Sequence, residues 1–92
     1  MHFVAILNDH DGALETRLAN RPAHIEWLKS NPVAIAGPFL DEKGDMVGSL
    51  LIIEAEDEAA AKALLATDPY AKAGLFKSSE VKAWRWAVGK PA

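Results

Sequence analysis

Apolar positions along the chain follow two rhythms, and the switches between them lay out the elements. From His2 to Leu7, Phe3, Ala5 and Leu7 alternate with His2, Val4 and Ile6, and both sets are largely apolar. That pattern predicts a strand covered on both faces. Asn8-Asp9-His10-Asp11-Gly12 then reads as a loop. Between Leu14 and Lys29 the rhythm turns helical, with Leu14, Leu18, Ile25 and Leu28 spaced for one face. Pro22 interrupts it. A proline inside a helix costs roughly 3 kcal/mol, yet it costs little at the first helical position. The spacing therefore predicts a short helical turn near residues 12–19 and a main helix from Arg21 or Pro22 to Ser30.

Asn31-Pro32 ends that helix. Val33 to Leu40 and Met46 to Ala55 read as a hairpin around the turn 41–45, with Gly37-Pro38 marking an edge or a bulge. Asp57 is a good N-cap for a second helix whose apolar side is Ala60, Ala61, Leu64 and Leu65. Asp68-Pro69 closes that helix and opens another helical turn ending at Gly74. A last strand runs from about Lys77 to Val88, with Trp84, Trp86 and Val88 on one face and Val81, Ala83 and Ala87 on the other. The order is β-α-β-β-α-β. It predicts an α+β, ferredoxin-like domain: a four-stranded antiparallel sheet with two helices on one face. The second sheet face is apolar, so two copies packed face to face would form a dimeric α+β barrel.

Composition narrows the function classes. The chain has 92 residues, one domain's worth, and half are apolar. A net charge of −3 with no basic stripe argues against nucleic acid and anionic membranes. The longest apolar run, Leu50 to Ile53, is far too short to span a bilayer. The N-terminus lacks the pattern of a signal peptide. The absence of cysteine removes disulfides and thiolate chemistry and fits a cytoplasmic protein. His2, His10 and His24 show no metal-ligand spacing, and no phosphate loop or dinucleotide fingerprint is present. The expectation is a chain that needs neither metal nor organic cofactor.

Four strings, in order, carry a resemblance: Arg21-Pro22-Ala23-His24, Ala36-Gly37-Pro38, Asp68-Pro69-Tyr70 and Ala73-Gly74-Leu75-Phe76. With the element order they resemble the YCII-related family over nearly the whole of residues 1–92. The resemblance implies one domain, a homodimer and a pocket beside the sheet. It also implies a histidine–aspartate pair, which maps onto His24 and Asp68. The best-defined chemistry associated with this group is dehydrochlorination of a chlorinated hydroxyhydroquinone.

Each candidate also has a plainer explanation. On an ideal helix Arg17, Arg21, His24 and Leu28 share a narrow sector, which puts His24 at the edge of the buried stripe. A histidine there acts as acid or base, or is merely capped by a backbone carbonyl. Asp68 before a proline is an N-cap, and its carboxylate accepts backbone N–H groups whether or not it meets His24. Arg21, Tyr70, Ser49, Gly37 and Pro38 are the candidate substrate contacts. Arg17 and Arg21 suit an anionic or phenolate ligand, or else are solvated helix residues. Trp84 and Trp86 read as packing at the sheet or between subunits, with a stacking wall for an aromatic ligand as the other reading. The expected function is general acid/base chemistry by His24 and Asp68, an elimination or isomerisation, on a small cyclic or aromatic compound. A non-catalytic, dimeric small-molecule-binding or accessory domain is the second reading. An oxygenase of the wider α+β-barrel group, cofactor-free or haem-linked, is the third.

Overall fold

The computed structural model describes residues 1–91. Its elements are β1 (His2–Asp9), α1 (Leu14–Ser30), β2 (Val33–Leu40), β3 (Met46–Glu54), α2 (Glu58–Leu65), α3 (Pro69–Lys72) and β4 (Phe76–Trp84). The strands form one antiparallel sheet in the order β2-β3-β1-β4. This is the ferredoxin-like arrangement, with Pro38 on an edge strand, where a missing N–H costs the sheet least.

All three helices lie on one sheet face, where the register puts Phe3, Ala5 and Leu7 beside Leu51 and Ile53. These pack with Trp27 of α1 and with Ala61 and Leu65 of α2 as a single buried cluster. Fully burying such a large apolar side chain contributes about 1.5–3 kcal/mol. Asp57 caps α2 through a 2.8 Å bond from the Ala60 N–H to its Oδ1. The chain leaves α3 through Gly74, whose φ of +70° suits a residue without a Cβ.

The opposite face carries Val4, Ile6, Ile35, Phe39, Leu50 and Ile52 in register, and none of the described helices covers it. His2, Trp84 and Trp86 meet edge to face at its margin, with ring centroids 5.0–6.3 Å apart.

Four expectations need correction. Helix α1 is continuous from Leu14 to Ser30, with Pro22 inside it. Pro22 is exposed and its lost partner, the Leu18 carbonyl, belongs to a half-exposed residue, so the missing bond faces solvent and not the core. The buried stripe of α1 is Arg17, His24 and Trp27, whereas Leu18 is 49% exposed. His24 thus sits within the buried stripe and not at its edge. The first strand continues to Asp9, with a register shift at Asn8/Asp9. The last strand stops at Trp84, so Trp86 and Val88 lie beyond it.

Candidate active site

Helix α1 sends two polar side chains into the interior, seven residues apart on one face, and each meets an aspartate from another element. His24, at 6% exposure, is two helical turns from Arg17, at 2%. Its Nδ1 lies 2.7 Å from Oδ1 of Asp68. Asp68 is the N-cap of α3 and is held there, because the same Oδ1 accepts the Tyr70 N–H at 2.9 Å. With Asp68 as the acceptor of both bonds, Nδ1 is the donor of the shared one and the lone pair lies on Nε2. Oδ2 of Asp68 is buried with no hydrogen-bond partner among the described residues.

Aromatic stacking fixes the plane of the imidazole. Tyr70 lies against it with centroids 3.9 Å apart and planes at 13°. Trp27 is nearly parallel to it at 6.2 Å, and its indole N–H donates to the Thr67 hydroxyl at 2.8 Å. The Arg17 guanidinium is 4.7 Å from the Tyr70 centroid. With one face of the phenol occupied by His24, the guanidinium covers the other. The result is a column of guanidinium, phenol and imidazole, stabilised by cation–π attraction and stacking.

Arg17 is anchored from behind. Its Nε and Nη2 donate to the two oxygens of Asp9 at 2.8 and 2.9 Å, and Nη2 also donates to Ser49 Oγ at 2.9 Å. Burial alone would disfavour the Arg17 cation, but the bonds and charge of Asp9 outweigh it and raise its pKa further above the ordinary arginine value. Burial also raises the pKa of the Tyr70 hydroxyl, against the pull of Arg17 and Arg21, so the phenol stays protonated at neutral pH.

His24, Arg21, Tyr70, Ser49, Gly37 and Pro38 line a single cavity of about 190 Å³, together with Arg17. Asp68 lies behind His24 and does not line it. The structure therefore gathers the sequence-derived site residues at one place. Reading Asn8 to Gly12 as a polar loop missed Asp9; the signal was there, since Phe3, Ala5, Leu7 and Asp9 continue one alternation. Trp27 was missed because its stripe is defined by two polar residues. Among the described residues no three metal-ligating side chains converge. A wider groove of about 770 Å³ beside α2 and β4 is lined by Lys62, Lys77 and Glu80 and contains none of the sequence-derived site residues. No described helix is long and apolar enough to cross a membrane.

The chain is similar in sequence and fold to known proteins. The dehydrochlorinase for 5-chloro-2-hydroxyhydroquinone, TftG, from Burkholderia phenoliruptrix is 34% identical and superposes with a TM-score of 0.84, covering 92% of this chain and 94% of that one; it was solved in complex with 2,5-dihydroxybenzoquinone. Protein YciI of Escherichia coli is 33% identical over 95 residues, spanning 92% of this chain and 97% of its own length. SnoaB, a cofactor-independent oxygenase from Streptomyces nogalater, shares the fold alone, at 16% identity and a TM-score of 0.57 over 97% of this chain and 96% of that one. Residues 1–85 match the pattern described as the YCII-related domain, and with full-length relatives at this identity the chain belongs to the YCII-related family.

Proposed function

We propose that this protein is a cofactor-independent enzyme that uses His24 as general base and acid, oriented by Asp68, to eliminate or isomerise a small cyclic or aromatic compound. The observation that carries this reading is the 2.7 Å His24–Asp68 bond, made through Nδ1 by a ring that lines the cavity. Nε2 takes a proton from a phenol or an acidic C–H. The electron pair left behind forms the new π bond, and a leaving group departs with its own pair. Asp68 stabilises the imidazolium that forms. A positioned base of this kind contributes roughly 10²–10⁴-fold, enough for an activated substrate. Cavities of ~150 Å³ hold a benzene ring, so about 190 Å³ suits one six-membered ring with few substituents. The likeness to the dehydrochlorinase supports elimination as the reaction.

The active form in this reading is a cytoplasmic homodimer closed over the open sheet face, whose apolar residues Ile35 and Leu50 no described element covers. Light scattering should give twice the 9.9 kDa chain mass.

The test is chloride release from 5-chloro-2-hydroxyhydroquinone by wild type and by His24→Ala. The variant should fold and lose roughly 10²–10⁴-fold in turnover. Full activity in His24→Ala sinks the acid/base role. A wild type that binds such rings but releases nothing favours a binding module instead, in which Asp68 serves only as the cap of α3.

A further inference from the structure

Two side-chain hydrogen bonds run from α1 to the corner 66–68 between α2 and α3. His24 meets Asp68, and Trp27, three residues on, donates its indole N–H to the Thr67 hydroxyl at 2.8 Å. Both donors lie on the buried face of α1, about 4.5 Å apart along its axis. Their acceptors are neighbours in the chain. The bonds are therefore parallel struts, and among the described residues no other hydrogen bond ties α1 to that corner. The struts differ in what they undergo. One holds an imidazole, which gains and loses a proton in the scheme above. The other joins an indole and a hydroxyl, which keep their protons at neutral pH. Trp27 is packed into the core cluster, and Thr67 passes the bond on to the Leu64 carbonyl of α2 at 2.6 Å. One strut is a pivot, whereas two fix an angle. A catalytic pair needs holding to about 0.5 Å and 10–20°, and a misplacement of about 1 Å can cost roughly 10²-fold.

We propose that Trp27 is a positioning residue for the His24–Asp68 pair, acting through Thr67: its indole N–H pins the corner that carries Asp68 to the helix that carries His24. The proposal rests on the acid/base reading above and extends it to a residue outside the cavity wall. When the imidazole changes charge, the neutral strut keeps the carboxylate in line with Nδ1. Neither Trp27 nor Thr67 touches the substrate in this scheme.

The experiment reads both the bond and the rate. NMR follows the His24 Nδ1 proton as it exchanges with water, which reports opening of its bond to Asp68. Trp27→Phe and Thr67→Val should each hasten that exchange roughly 2- to 10-fold, the equilibrium worth of one neutral hydrogen bond. Each should lower kcat for chloride release from 5-chloro-2-hydroxyhydroquinone by a similar factor, with KM unchanged. Thr67→Ser, which keeps the hydroxyl, should restore both. The first two changes delete the same bond, so their double variant should lose little more than either alone. In an Asp68→Asn background Trp27→Phe should leave kcat as it is, because its effect passes through the carboxylate. A merely structural Trp27 would lower the melting temperature and leave exchange and kcat untouched, and that result overturns the proposal. So does an undiminished effect of Trp27→Phe in the Asp68→Asn background, or a wild-type Nδ1 proton with no protection. If wild type releases no chloride, the acid/base reading fails, while the exchange rates still decide whether Trp27 positions the pair.

Discussion

Asp9 and Asp68 are both buried, at 6% and 1% exposure, and both pair with a side chain of α1. Their loading differs. Asp9 meets a permanent cation with both oxygens and forms a closed fork. Asp68 meets an imidazole with one oxygen, and that oxygen also caps a helix, while the other has no partner among the described residues. A fully satisfied pair is rigid scaffolding. A pair with spare capacity on a group that gains and loses protons is where chemistry can be placed. The two pairs share one helix face and one tyrosine, so the scaffold of one is the floor of the other.

Removing Arg17 should be the most damaging single change. Arg17→Met leaves Asp9 charged and buried alone, and breaking a buried pair this way costs about 3–5 kcal/mol. Urea unfolding of that variant should show the loss, and the double variant Asp9→Leu/Arg17→Met should recover much of it. No recovery in the double variant would mean the fork is not a coupled unit. Next comes Asp68→Asn. Asparagine caps a helix about as well as aspartate, so stability should change by less than about 1 kcal/mol, while turnover should fall by part of the roughly 10²–10⁴-fold that general base catalysis supplies. Equal losses in rate and stability would erase the contrast between the two aspartates.

Trp27→Phe keeps a ring beside His24 but deletes the indole bond to Thr67. The expected cost is about 1 kcal/mol in a thermal melt, typical of one hydrogen bond. The smallest effect is confined to high pH. The Tyr70 hydroxyl has its pKa raised on folding, mainly by burial. A raised folded value means the folded state holds this proton more tightly than the unfolded chain. Its contribution is therefore fully present below the unfolded tyrosine value, about 10, and is lost as pH rises through the folded one. Tyr70→Phe should flatten the alkaline decline of the melting temperature; superimposable curves would refute the assignment.

The fold was largely legible because alternation and helical spacing report which residues avoid water. Asp57 and Asp68 announced their helices through cap chemistry, and both caps are present. Legibility failed where a polar side chain is buried by a partner distant in sequence. Arg17 counts as surface in any hydropathy pattern until Asp9, on another element, is known to meet it. The same blindness moved the buried face of α1 from its leucines to Arg17, His24 and Trp27. His24 was found through its matched string, and the stack with Tyr70 could not be read from spacing, since 46 residues separate the two in the chain.

The uninterrupted course of α1 turns the interval between Arg17 and His24 into a ruler. Two turns of helix, about 10.5 Å along its axis, are the gap that the Tyr70 ring fills between guanidinium and imidazole. One residue added or deleted between them would swing one of the pair by about 100° and strand its aspartate. This stretch admits no change of frame, whatever its exposed positions such as Pro22 carry.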